Sequence, residues 1–116
     1  MTTYKRGMVV LVPFPFTDLT SIKQRPTLIV SPDSLNSTRP DVVVLAITSQ
    51  LPTQLAEDEM PVPATELAQC GLPKPSLIKL TKIFAIHQGL VRKPMGQVSP
   101  ATLATILRRL QKQFEP

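Results

Sequence analysis

Apolar residues fall into short runs separated by turn-prone polar stretches, and only the last run has helical spacing. Val9–Phe16 is rich in β-branched residues and reads as a first strand. Pro13 and Pro15 have no N–H for a sheet ladder, so the PFPF stretch is expected at an edge or outside the sheet. The polar TDLTSIKQ follows as a loop. Arg25-Pro26 restarts an extended segment, because proline steers its predecessor towards β or polyproline conformations. The second strand is expected over Thr27–Ser31. SPDSLNSTRPD reads as a long connector with room for a short helical turn. Val42–Thr48 is nearly continuous apolar sequence, the signature of a central strand buried on both faces.

The second half is richer in proline. Glu57-Asp58-Glu59 reads as a solvated acidic turn, and Met60–Pro63 as a short edge strand. Ser76–Ile86 is a longer strand with imperfect alternation, which points to a bulge or bend and puts Lys79 and Lys82 near its polar edges. The chain then turns helical. Ser99 is a good N-cap, Pro100 suits the first helical position, and Val98 and Leu103 stand where a hydrophobic staple puts them. Leu103, Ile106, Leu107, Leu110 and Phe114 make one apolar stripe. Arg108, Arg109 and Lys112 lie near the end of that helix, where cations complement its dipole. Several short strands followed by a helix predict a mainly β (α+β) chain, a small, partly open barrel with an attached C-terminal helix.

Composition narrows the chemistry. The 116 residues suit one domain, 1–116, and 42% hydrophobic content suffices for a packed core. The net charge of +5 and pI of about 9.8 favour a polyanionic partner, most often nucleic acid; a merely soluble basic surface is the alternative. Cys70 is the single cysteine, so no internal disulfide forms and a reducing cytoplasm is the expected location. MTTYKRG lacks the apolar region of a signal peptide, and no run approaches a membrane span. His87 is the only histidine, which excludes a paired-histidine mechanism. No glycine-rich phosphate loop, metal-ligand cluster or carboxylate cluster for two metal ions is present, so neither metal nor cofactor is expected.

Two residues remain as candidates for phosphate chemistry. Arg25 carries a permanent charge that can grip two oxygens of one phosphate, and Pro26 restricts its backbone. Thr48 ends the most apolar strand, where its hydroxyl can donate to a phosphate oxygen; Ser49 and Gln50 extend that polar edge. Taken singly, an arginine in a surface salt bridge and a threonine chosen for β propensity explain the same residues.

RGMVVLVPFPFTDLTSIKQRPTLIVS, AITSQ, SLIKLTKIFAI and VSPATLATILRRL, in this order and spacing, resemble the MazF/PemK family of bacterial toxin–antitoxin systems over nearly the whole chain. The resemblance implies an SH3-like barrel, usually a homodimer, and a metal-independent, sequence-selective endoribonuclease that cuts single-stranded RNA. Arg25 then matches the arginine that stabilises the phosphorane-like transition state, and Thr48 the hydroxyl that binds the scissile phosphate. The ribose 2′-hydroxyl attacks, leaving a 2′,3′-cyclic phosphate and a 5′-hydroxyl. Lys23 and Gln24 border the RNA groove beside Arg25, with Asp18 in the same loop and Ser49, Gln50, Lys79 and Lys82 as further contacts. An antitoxin tail, often acidic, covers this groove in the family, and Glu57–Glu59 is expected away from it. The chain departs from the pattern at Lys79, where several members carry an acidic residue; the general base is left unassigned, with Asp18 the nearest substitute. Two alternatives share the likeness: a CcdB-like poison of DNA gyrase on a similar barrel, and a catalytically inactive member that binds or regulates.

Overall fold

The near-continuous apolar run of the sequence occupies the middle of a six-stranded antiparallel sheet. The computed structural model describes residues 3–14 and 23–116. The strands are β1 (Met8–Phe14), β2 (Lys23–Ile29), β3 (Asp41–Thr48), β4 (Glu59–Pro61), β5 (Leu77–His87) and β6 (Lys93–Gln97). They lie in the order β4-β5-β3-β2-β1-β6. A one-turn helix, α1 (Asp33–Asn36), joins β2 to β3, and the chain ends in α2 (Pro100–Gln113).

Side chains alternate across the sheet, and both faces are covered, which is why β3 needs no polar face. Leu45 and Ile47 point into one cluster with Val9, Leu28, Ile78, Leu80 and Ile106. Val42 and Val44 point the other way, with Val10, Val12 and Ile29. The first cluster also takes Met60 from β4 and Met95 from β6, so the two ends of the sheet curl towards one core without pairing among the described residues. The barrel is therefore open.

α2 closes that core with Ile106 fully buried and Leu103, Leu107 and Leu110 packed around it. Ser99 caps the helix as expected, its side chain accepting from the Thr102 N–H, with Pro100 in the first turn. Phe114 does not join the stripe: the helix ends at Gln113, and Phe114 stands 64% exposed.

Strand β1 spans Met8–Phe14, and Pro15 and Phe16 of the expected Val9–Phe16 run lie outside the described residues. Pro13 lies at an edge, as expected: it sits in β1 opposite Gln24, but β6 pairs only with Met8–Leu11, so among the described residues β1 has a single neighbour there. β2 begins at Lys23, not Thr27, which places Arg25 and Pro26 within a strand. Pairing to β3 starts at Thr27, so Pro26 disrupts no central ladder. β6 has no sequence signal, since KPMGQ carries both a proline and a glycine.

β5 bends where its alternation fails. Leu45 faces Ile83 while Ala46 faces Lys79, so Leu80, Thr81 and Lys82 bulge out of the pairing with β3. Leu80 turns into the core, and its N–H is taken up by the Asp58 carbonyl at 2.8 Å.

Candidate functional site

β2 and β3 pair with Thr27 opposite Ala46. Continued by two residues, that register sets Arg25 across from Thr48, on the same face. Both side chains are half-buried, and both line one cavity of about 260 Å³. Gln50, Lys79 and Lys82 complete its polar wall, and Ala46 and Ile47 its apolar floor. Lys79 reaches it because it stands opposite Ala46, and Lys82 because the β5 bulge carries it there.

Thr48 Oγ1 accepts the Gln50 N–H at 3.1 Å. That bond occupies a lone pair and leaves the hydroxyl hydrogen for another acceptor. One guanidinium, two ammonium groups and a hydroxyl donor around a small cavity suit an anion with several oxygens.

Glu57 and Asp58 form the expected turn, with Glu57 exposed, but Glu59 leaves it as the first residue of β4 and is tied to the cavity through Lys79. β4 lies beside β5 with Glu59 directly opposite Lys79. Glu59 is buried, and its Oε2 accepts from Lys79 Nζ at 2.6 Å while Oε1 accepts the Ala56 N–H at 2.7 Å. The Lys79 hydrogen bond, then the Ala56 N–H, hold the Glu59 carboxyl below its ordinary range. Asp58 is lowered chiefly by the Thr81 hydroxyl, which donates to it at 2.5 Å, with Lys79 and Lys82 adding their charge. Arg109 of α2 donates to the carbonyls of Glu57 and Glu59 at 3.2 and 3.4 Å, so it braces β4 in addition to any effect on the helix dipole. Glu59 is the residue that sequence reasoning missed. It lies 20 positions from Lys79 in a proline-rich segment, and only strand pairing brings the two together.

Lys23 and Gln24 are exposed at the start of β2 and do not line the cavity; Ser49 is exposed beside it. Asp18 lies outside the described residues. Cys70 is fully buried, its thiol pushed up to about 11 by burial and then by the Glu66 charge, so it is structural. His87 ends β5 opposite Asp41, at the other end of β3 from Thr48, about 23 Å away at strand rise. Its Nδ1 accepts the Gly89 N–H at 2.9 Å. A larger cavity of about 540 Å³ opens there, between Tyr4, Arg39 and His87, and takes in none of the expected residues. Among the described residues no cluster of metal-ligating side chains occurs, and no helix is long and apolar enough to cross a membrane.

Glu66 has a separate, structural task. It accepts the Ser99 N–H at 2.8 Å, the Ser99 hydroxyl at 3.0 Å and the Thr102 hydroxyl, closing the N-terminus of α2. Burial opposes its charge, but these donors outweigh burial and its carboxyl is held below the usual value.

Solved structures share this architecture. An endoribonuclease in complex with its cognate antitoxin, from a mycobacterial species, is 20% identical, with 94% of this chain and 92% of that one covered and a TM-score of 0.76. A second mycobacterial endoribonuclease is 22% identical over 97% of this chain and 91% of its own, with a TM-score of 0.74. A MazE–MazF complex from Deinococcus radiodurans is 16% identical over 97% and 96%, with a TM-score of 0.78. No curated protein sequence matches significantly. The family model described as PemK-like, MazF-like toxin of type II toxin–antitoxin system matches residues 5–114. With nearly its full length covered by that match, the chain belongs to the PemK/MazF toxin family.

Proposed function

We propose that this chain is a toxin of a type II pair that acts as a metal-independent, sequence-selective endoribonuclease on single-stranded RNA, cutting mRNA and so arresting translation and growth. The observation that carries the reading is the pair Arg25 and Thr48 on one face, in one cavity, with two lysines beside them. The scissile phosphate sits between the guanidinium and the Thr48 hydroxyl. As the ribose 2′-oxygen attacks phosphorus, charge grows on the non-bridging oxygens, and a preset cation and donor stabilise that charge more than the ground state. The P–O5′ bond breaks; the 2′-hydroxyl loses its proton and the departing 5′-oxygen takes one up. The products are a 2′,3′-cyclic phosphate and a 5′-hydroxyl. DNA has no 2′-hydroxyl and is not cut.

Lys79, Lys82 and Gln50 contact the backbone around that phosphate, with Lys23, Gln24 and Ser49 along the approach. Glu59 is already bonded to Lys79 and Ala56 and is held ionised, so its part is to fix Lys79. The same cationic cavity suits the acidic tail of a cognate antitoxin, whose binding blocks RNA. Half-buried Tyr4, Met8, Phe84, Ile86 and Val91 fringe the second apolar cluster and support a homodimer through that face. The cytoplasm is the compartment where such a toxin meets mRNA.

The test is cleavage of single-stranded RNA in the presence of a chelator. The 5′ ends produced should accept label from a polynucleotide kinase without phosphatase treatment. Arg25→Ala should reduce the rate about 100-fold or more, the scale of removing one oxyanion donor. Undiminished cutting by Arg25→Ala, or cutting that vanishes with chelator, defeats the reading.

A further inference from the structure

Arg25 walls a second cavity, of about 280 Å³, which shares Ile47 with the first. Its sheet wall comes from the opposite face of the same strands, where Leu11 stands across from Pro26. The two cavities therefore share the Arg25 side chain as a common wall.

The outer wall of the second cavity is Leu72 and Pro73 facing Met95 of β6. That wall is preformed. The turn before Leu72 packs on β6 so closely that a Cβ at Gly71, which has a φ of +72°, would lie 2.4 Å from the Met95 carbonyl oxygen. A Cβ at Gly96 would lie 1.9 Å from the Gln69 carbonyl oxygen. Two hydrogen bonds lock the contact: the Gln97 N–H donates to the Gln69 carbonyl at 3.1 Å, and the Gln69 side-chain amide donates to the Gln97 carbonyl at 3.0 Å. The slot is smaller than the roughly 300–1,000 Å³ that holds a drug-sized ligand. Proline rings and a thioether offer flat, polarisable surface to an aromatic ring, while Ser49 and Lys74 bring a hydroxyl and an ammonium group to the same slot.

We propose that this slot is a subsite for one unstacked nucleobase, that of the nucleotide adjoining the phosphate at Arg25, and that Met95 and Ser49 help to set which base it accepts. The proposal rests on the RNA-cleaving reading above. Single-stranded RNA is read by bases splayed into such slots and bonded along their edges. A sheet-end slot joined to the phosphate cavity through one arginine meets that requirement.

The test uses non-cleavable 2′-O-methyl RNA carrying a cleavable sequence, made abasic at one position at a time, with affinity read by fluorescence anisotropy. In the native protein one position next to the scissile phosphate should weaken binding about tenfold when abasic. Met95→Trp, which fills the slot, should bind the intact RNA about tenfold more weakly and make that position indifferent. If Met95→Trp does not fold, judged by its circular dichroism melt, Ser49→Leu at the same slot should blunt the same position. The proposal is overturned if no single base matters, or if the folded slot variants keep the native pattern. Cleavage of unmodified RNA by the native protein is scored separately, so loss of the nuclease reading and loss of the base subsite are told apart.

Discussion

Thr48→Val separates the structural from the chemical work of one hydroxyl. Valine matches threonine in shape and in β propensity, so β3 itself is undisturbed. The variant loses two things. The first is the bond from the Gln50 N–H, which is exposed; water replaces Thr48 there, and the stability cost is about 0.5 kcal/mol, the low end for a neutral hydrogen bond. For a chain of this size that shifts Tm by about 3 °C or less. The second is the only hydrogen the side chain can donate. A bond to a charged phosphate is worth about 1.5–3 kcal/mol. Single-turnover cleavage should therefore fall about 10- to 150-fold, at RNA in excess over Kd and with chelator present. Thr48→Ser keeps the donor and the Gln50 contact, and should stay within about threefold of the native rate. Equal losses in Val and Ser variants, or a Val variant with native rate, would refute the assignment of that donor.

The Glu59–Lys79 pair predicts unequal lysines. Each phosphate contact on single-stranded RNA contributes about 0.7 to the slope of log K against log salt. Lys82→Ala should remove about that much, Lys79→Ala distinctly less because Glu59 already balances it, and Glu59→Gln should steepen the slope; identical slopes for the two alanine variants contradict the pairing. Glu66, Asp58 and Glu59 all titrate lower in the folded chain than unfolded, so the folded state binds fewer protons in acid. Their contribution is complete above the ordinary values of 3.8 and 4.5 and drains away as pH falls through the lowered ones. Tm should accordingly drop below about pH 4.5, and Glu66→Gln, which discards the charged cap of α2, should lower the neutral-pH Tm and flatten that acid limb. Cys70, buried with its thiol at about 11, should resist a thiol reagent at pH 8 in the native protein and react on unfolding; rapid native labelling would show that its loop opens.

Much of the local structure was legible because its causes are local. Neighbours in sequence set the buried alternation of β3, the Ser99 cap and the break in β5 that becomes a bulge. Candidate groups could be named for the same reason: a permanent cation beside a proline and a hydroxyl at the end of an apolar strand are properties of adjacent residues. Tertiary structure alone decided what those groups face. The β2–β3 register sets Arg25 and Thr48 on one side of the sheet, and a shift of one residue would turn one of them away. The bend of β5 brings Lys82 to the cavity, and β4 carries Glu59 to Lys79, which is 20 positions further along the chain. Strand β6, with a proline and a glycine among its five residues, exists because the Met8–Leu11 edge of β1 and the turn at Gln69–Leu72 hold it. Periodicity and propensity act over a few residues, whereas register, bends and edge pairing are settled by which surfaces the whole core can bury together.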